Sequence, residues 1–232
     1  MIIGGLEKLT LIDYPGKVAC TVFTLGCNFG CGFCHNPELV MRQPGNAPVL
    51  SEKDFFDFLT AQKKYLDGVC ITGGEPTLQK DLIDFIKNIK SLGFAVKLDT
   101  NGSHPEVLEK LISNGLVDYI AMDIKGPLDN YSKIVGCEID KEKIKRSVEL
   151  IRSSGVDYEF RTTVLPELHS PGDLKKVGEW LTGSKKYYLQ QFRKGKTLNP
   201  DFSDKRGYND EELKKICESL KPYFETCEVR LN

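Results

Sequence analysis

Apolar runs of strand length alternate with amphipathic runs of helix length along most of the chain. The segment 18–25 is apolar without polar alternation, which is typical of a strand buried on both faces. Similar runs recur after it, separated by stretches with helical periodicity. The predicted strands are 18–25, 68–72, 94–99, 117–124, 158–165 and 187–192, with a possible terminal strand at 225–231. The predicted helices are 52–64, one that starts near Leu82 and is stopped by Gly93, 105–114, one that ends at 154–155, one containing 174–181, and 209–220.

This alternation predicts an α/β fold. Strands joined through crossover helices must run mainly parallel. A closed eight-unit barrel takes about 250 residues, and this chain has 232. We therefore expect an open, partial (β/α)6 barrel with a mainly parallel sheet and outer helices. We also expect one domain over 1–232, with a short N-terminal extension at 1–17, a C-terminal helix and a possible strand within 209–231. Residues 37–49, and the stretch from the fourth strand to about 139, are predicted loops.

Composition limits the classes of partner. The formal net charge is −1, and 40% of the residues are hydrophobic. The small net charge indicates no nucleic-acid or membrane surface, and the hydrophobic content suits a sizeable core. The first residues lack the basic region and apolar run of a signal peptide. Eight cysteines without an export signal favour a reducing compartment, so we expect a cytoplasmic protein.

Three of these cysteines are crowded into one loop. Cys27, Cys31 and Cys34 follow the first predicted strand with the spacing C-x3-C-x2-C. Three thiolates can hold three irons of a four-iron, four-sulfur cluster. The fourth iron is then open to another ligand, which indicates chemistry rather than a structural role. The other five cysteines form no C-x2-C pair, so a second cluster is not expected.

Two alternatives compete with the cluster. Structural zinc would use the three cysteines and His35, but the adjacent Cys34 and His35 are poorly placed to meet on one tetrahedral ion. A disulfide-bonded loop would require an oxidising compartment, for which the sequence gives no sign. Neither alternative is favoured.

The cysteine spacing, with the aromatic Phe33 before the third cysteine, resembles that of the radical S-adenosylmethionine (SAM) enzymes. The segments 11–17 and 34–38 are similar to those of glycyl-radical enzyme activases, and most of all to activating proteins of anaerobic ribonucleoside-triphosphate reductases. The resemblance covers nearly the whole chain. Activases of the pyruvate formate-lyase type, and radical SAM enzymes acting on small molecules, are the alternatives.

The resemblance implies a [4Fe–4S] cluster on Cys27, Cys31 and Cys34, with SAM bound at the open iron. It implies that SAM is cleaved reductively to a radical that abstracts hydrogen from a glycine of a partner enzyme. No catalytic residue beyond the cluster and SAM is implied. The required electron would come from an external flavodoxin or ferredoxin.

Candidate SAM contacts fall at the carboxyl ends of the predicted strands, where α/β barrels carry their sites. Gly73, Gly74 and Glu75 follow the second strand and resemble the family motif that approaches the methionine ammonium of SAM. Outside that context, two glycines after a strand are usually only a turn.

Charged side chains follow the third and fourth strands. Asp99, Asp123 and Lys125 match family positions for SAM, which presents a ribose diol, an ammonium and a carboxylate. Carboxylates accept hydrogen bonds from the first two groups, and a lysine pairs with the third. The alternative is a simple surface ion pair between Asp123 and Lys125. Arg161, on the fifth strand, is predicted to face either the barrel interior or a helix.

The sixth strand departs from the family pattern. Similar activases carry a histidine near the position of Phe192. Gln190 or Gln191 would replace its contact with SAM through a hydrogen bond, and Gln191 is the residue that we select. His104 and His169 are expected to be loop or cap residues. If the first and sixth predicted strands are the barrel edges, the runs 12–17 and 193–196 flank its mouth and contact the partner.

Overall fold

One eight-stranded sheet organises the structure, a computed structural model that describes residues 1–40 and 50–230. The strands are β1 (Ile3–Thr10), β2 (Ala19–Thr24), β3 (Gly68–Gly73), β4 (Ala95–Thr100), β5 (Tyr119–Asp123), β6 (Asp157–Val164), β7 (Ser184–Gln191) and β8 (Phe224–Arg230). They lie in chain order, with β2 to β8 parallel and β1 antiparallel to β2. Within the described residues β1 and β8 do not pair with each other, which confirms the open, mainly parallel barrel.

Eight helices lie in the described residues, and the six longer ones cover the outer face of this sheet. The eight are α1 (Pro37–Val40), α2 (Glu52–Ala61), α3 (Leu82–Ser91), α4 (Pro105–Ser113), α5 (Tyr131–Val135), α6 (Lys141–Ser153), α7 (Pro171–Trp180) and α8 (Asp210–Leu220). The short α1 and α5 lie in segments predicted to be loops. The sequence does not reveal these helices because four or five residues are too few to show a helical period. Residues 41–49 of the first of those loops, and Leu231 of the predicted terminal strand, lie outside the described residues. In the described part of the chain, no helix combines the length and apolar character needed to cross a membrane.

The N-terminal segment differs from the prediction. Residues 3–10 form strand β1 rather than an extension, and Ile3 is fully buried. Gly4 and Gly5 obscure the strand signal, since glycine is depleted in strands. The prediction that the first and sixth predicted strands are the edges is therefore wrong, because β1 and β8 cover them.

The two faces of the sheet bury different chemistry, because successive strand residues point to opposite faces. Leu98 and Phe160 pack outward in the large apolar core against the helices. The inner face instead carries charged side chains, described below. At the amino ends of the strands it closes with a small cluster of Tyr14, Ala19, Tyr119 and Ala121.

This cluster corrects the expectation for the run 12–17. The run joins β1 to the start of β2, at the opposite end of the sheet from the cysteine loop. Tyr14 is only 2% exposed and packs against Tyr119 with ring centroids 6.2 Å apart. A buried ring at the amino end cannot contact a partner at the barrel mouth. The run 193–196 does follow β7 at the carboxyl end, and it is exposed.

Candidate active site

A cavity opens at the carboxyl ends of the strands, where the loops after β2 to β5 meet the end of β6. Parallel strands place all of these ends at one rim. The predicted residues in its lining are Cys27, Cys31, Phe33, Cys34, Gly73, Gly74, Glu75, Asp99, Asp123 and Lys125. The structure thus brings together side chains that lie up to about a hundred positions apart in the sequence.

The cysteine loop is held from outside by backbone hydrogen bonds. Gly30 N–H donates to Val135 O at 2.9 Å, at the end of α5. On the other side, the carbonyls of Gly32 and Cys34 accept from Asn199 and Leu198 at 2.9 and 2.8 Å. These contacts fix a segment that has no regular secondary structure, so the three thiols have defined positions.

The three thiols fit a cluster better than a single ion. In residues 1–40 and 50–230, no three His, Cys, Asp or Glu side chains converge closely enough to hold one metal ion. A four-iron cluster spreads its cysteines over separate irons, so this geometry disfavours the zinc alternative. Burial raises the pKa of Cys27 to about 11 and that of Cys31 to about 12. Both are thiols at neutral pH until a metal displaces the proton.

Two glycines let the turn after β3 pack against the base of the cysteine loop. Gly73 has φ +110°, and a Cβ there would lie 2.4 Å from the backbone N of Thr24. A Cβ on Gly74 would lie 2.1 Å from the carbonyl oxygen of Gly26. Both distances are impossible for a side chain, so glycine is required here for the fold itself.

The carboxylate of Glu75 is buried and accepts four hydrogen bonds. Its donors are the N–H and hydroxyl of Thr77 at 3.1 and 2.5 Å, the hydroxyl of Thr100 at 2.8 Å and the N–H of Asn101 at 2.6 Å. Burial raises the pKa of Glu75, against the effect of these bonds. Glu75 therefore ties two rim loops together, and its predicted role toward SAM stays a prediction.

Arg161 joins the two predicted aspartates. Its Nη2 donates to Asp99 at 3.0 Å, and its Nε donates to Asp123 at 2.5 Å. Lys97 completes the series at the far side of Asp99. Arg161 thus faces the barrel interior, one of the two predicted orientations. Arg161 alternates along β6 with Glu159 and Thr163, and alternate strand residues share a face. This polar alternation is the sequence signal that distinguishes the interior orientation from the one toward a helix.

Lys125 pairs with Asp123 inside the cavity rather than on an open surface. Its Nζ lies 2.9 Å from Asp123 Oδ2. Burial alone would raise the pKa of Asp123, but the charges of Arg161 and Lys125 outweigh it and hold that pKa below its usual range. The ionised Asp123 in turn keeps the pKa of Lys125 above its usual range, against burial. Both groups therefore stay charged where a polar ligand would meet them.

His169 supports this segment from behind. Its Nδ1 accepts the Leu165 N–H at 3.2 Å, so its Nε2 carries the proton and donates to Lys125 O at 2.7 Å. Burial lowers the pKa of His169, which favours this neutral form. The ring also meets Phe33 edge-on, with centroids 6.3 Å apart. His104 is the residue at the start of α4, as expected of a cap position.

Gln191 is the exception among the predicted contacts. Its amide donates to Tyr208 O at 2.7 Å, and the residue does not line the cavity. Gln191 shares the outer face of β7 with the fully buried Tyr187 and Leu189. Gln190 lies on the inner face instead. The ring of Phe192 is covered by that of His35, with centroids 4.9 Å apart.

Known proteins are similar to this chain over most of its length. The Radical SAM superfamily matches residues 21–177. A protein of Methanocaldococcus jannaschii named as a glycyl-radical enzyme activating enzyme is 35% identical over 99% of this chain and 95% of its own length. The pyruvate formate-lyase-activating enzyme of Clostridium pasteurianum is 27% identical over 96% of this chain and 98% of its own.

Solved structures share the fold. The structure of Streptococcus suis SuiB bound to S-adenosylmethionine superposes with a TM-score of 0.67 at 16% identity. The match covers 88% of this chain and 48% of SuiB, so this chain spans about half the length of that protein. At this identity the likeness concerns the fold alone.

Proposed function

Because the chain belongs to the radical SAM superfamily, within its glycyl-radical enzyme activating enzymes, we propose that it forms a glycyl radical on anaerobic ribonucleoside-triphosphate reductase. Enzymes of this family use a [4Fe–4S] cluster and SAM. When bound, the two supply reductive cleavage of the sulfonium and removal of a hydrogen atom from glycine. The protein binds, orients and shields them.

One observation carries the proposal: the three thiols and the Asp123–Lys125 pair open into the same cavity. Cys27, Cys31 and Cys34 would hold the cluster. Lys125 would pair with a carboxylate of SAM, and Asp99 and Asp123 would accept from its hydroxyl or ammonium groups. Phe33, Gly73 and Gly74 would shape the wall, since a side chain at Gly73 would clash with the end of β2 and one at Gly74 with the start of the cysteine loop.

The choice of partner rests on the sequence. The segments 11–17 and 34–38 resemble those of reductase activases. In the part of the chain that the structure describes, β1 and β8 do not pair, and a backbone loop of another protein would approach the cavity from that side. Activation of pyruvate formate-lyase is the second candidate, favoured by the full-length similarity to the Clostridium pasteurianum enzyme.

Two further points complete the proposal. The electron would come from an external flavodoxin or ferredoxin, because the other five cysteines show no cluster spacing. The location would be the cytoplasm, where thiols stay reduced.

The test is anaerobic reconstitution with iron, sulfide, SAM and a chemical reductant. We expect 5′-deoxyadenosine to form, and a glycyl radical to appear by electron paramagnetic resonance on an anaerobic ribonucleotide reductase added to the mixture. Parallel reactions contain pyruvate formate-lyase or no partner. A radical only on pyruvate formate-lyase would select the second candidate. SAM cleavage with no radical on either partner would refute both.

A further inference from the structure

An ion pair between Arg230 and Glu159 links strand β8 to the inner face of β6. Arg230, on β8, donates from Nη1 and Nη2 to the two oxygens of Glu159 on β6, each at 2.7 Å. Its guanidinium lies 3.7 Å from the ring centroid of Tyr188, which stands between them on β7. The hydroxyl of Tyr119 donates to the same carboxylate at 2.8 Å. Both oxygens of the fully buried Glu159 are therefore occupied.

Glu159 lies directly below the cavity. It precedes Arg161 by two positions on the inner face of β6, and its Oε1 is 4.0 Å from Arg161 Nη1. The other nitrogens of Arg161 hold Asp99 and Asp123 in the cavity wall. The guanidinium of Arg161 thus has acidic groups on three sides, and it hydrogen-bonds to only two of them.

We propose that Arg230 is a positioning residue for the SAM site: by occupying Glu159 it leaves Arg161 to bridge Asp99 and Asp123. Without the Arg230 charge, Glu159 would be a buried carboxylate short of a cation. Such a group is strongly destabilised unless it finds a partner. Arg161 is the nearest cation, and a bidentate contact with Glu159 would take it from one or both aspartates.

The proposal predicts an asymmetry that a merely structural ion pair would not give. Arg230→Met removes the charge but keeps an unbranched chain over Tyr188, and it leaves Glu159 to compete for Arg161. Glu159→Gln breaks the same pair, but it removes the competitor instead. Both variants weaken the attachment of β8, whereas only the first disturbs Arg161.

The experiment measures SAM affinity by anaerobic calorimetry on cluster-reconstituted protein, with urea unfolding in parallel. We expect Arg230→Met to weaken SAM binding about tenfold, the size of one lost charge-assisted hydrogen bond. The SAM affinity of Glu159→Gln should stay within about threefold of that of the wild type. The affinity of the double variant Arg230→Met/Glu159→Gln should recover to the same range. Arg230→Lys, which keeps the charge but not the bidentate geometry, should lose less than Arg230→Met.

Equal losses of affinity in Arg230→Met and Glu159→Gln would overturn the proposal, as would unchanged affinity in Arg230→Met. If Arg230→Met does not fold, Arg230→Lys is compared with the double variant Arg230→Lys/Glu159→Gln. Recovery of SAM affinity in the double variant would support the proposal, and no recovery would overturn it. The inference rests on the proposed function only through SAM binding. If the wild type binds and cleaves SAM but activates neither partner, the proposed function is refuted and this test of SAM binding remains valid.

Discussion

The carboxylate of Glu75 accepts the backbone N–H of Asn101 at 2.6 Å, although 26 positions separate the two residues in the chain. The bond joins the loop after β3 to the loop after β4, and both loops line the cavity. Thr77 and Thr100 donate three further hydrogen bonds, so the hydrogen-bond partners of the two carboxylate oxygens of Glu75 are all donors.

Replacing Glu75 with Gln should destabilise the protein, because the amide NH2 group would face donors and leave some of them unsatisfied. We expect the free energy of unfolding to fall by about 1–3 kcal/mol, measured by urea denaturation. The exposed Glu225 provides a matched control, and Glu225→Gln should change stability by less than about 0.5 kcal/mol. Equal stability of the two variants would contradict the role given to Glu75.

Each of the three single variants Cys27→Ala, Cys31→Ala and Cys34→Ala should lose the four-iron signal, because the cluster loses a thiolate ligand. The measurement is electron paramagnetic resonance of the reduced, reconstituted protein. Cys137 is the matched control, since its thiol lies 3.5 Å from the carbonyl of Asn28 in the same loop. Cys137→Ala should keep the signal. A complete, SAM-responsive cluster in one of the three variants would remove that cysteine from the ligands.

Asp123 should contribute stability that depends on pH. Burial disfavours its charge, but Arg161 and Lys125 hold its pKa below the usual range. A carboxyl group with a depressed folded pKa stabilises above its unfolded pKa, about 3.9, and loses this contribution as the pH falls through the folded pKa. At pH 7, Asp123→Asn should cost about 3–5 kcal/mol, since the largely covered Lys125 loses its ion-pair partner and Arg161 keeps only Asp99.

The measurement is urea unfolding of the wild type and Asp123→Asn between pH 7 and pH 3. Their difference should be constant from pH 7 to about pH 5 and shrink below about pH 4. Asp57→Asn, which breaks an exposed pair with Lys53, should show only a small effect throughout. A difference for Asp123→Asn that persists undiminished at pH 3 would rule out this linkage.

Two tyrosines in the same inner cluster should respond differently to loss of the hydroxyl. Within the described residues, the buried hydroxyl of Tyr14 has no hydrogen-bond partner, so Tyr14→Phe should be neutral or slightly stabilising. Tyr119 donates to Glu159 at 2.8 Å, so Tyr119→Phe should cost about 1–3 kcal/mol. Thermal or urea unfolding measures both. A larger loss for Tyr14→Phe than for Tyr119→Phe would reverse the assignment.

Much of the fold was predictable because its signals are local. Apolar runs such as 18–25 and the stops at Gly93 and Gly115 depend only on neighbouring residues. The cysteine spacing is equally local, and the parallel order of strands places the loop, the Gly73–Gly74 turn, Asp99 and Asp123 at one rim. Strand β1 was missed because its two glycines hide a strand that depends on pairing with β2.

The sequence by itself determined the α/β alternation, the cluster motif and the end of the barrel that carries the site, since each follows from residues near one another in the chain. Only the tertiary structure decided that Arg161 bridges Asp99 and Asp123, that Glu75 is held by donors from two loops, and that Gln191 turns outward. These contacts join residues that are distant in sequence. Their geometry depends on strand register and on which face each side chain takes, so the pairing of strands across the sheet, rather than the composition of any one segment, fixes the site.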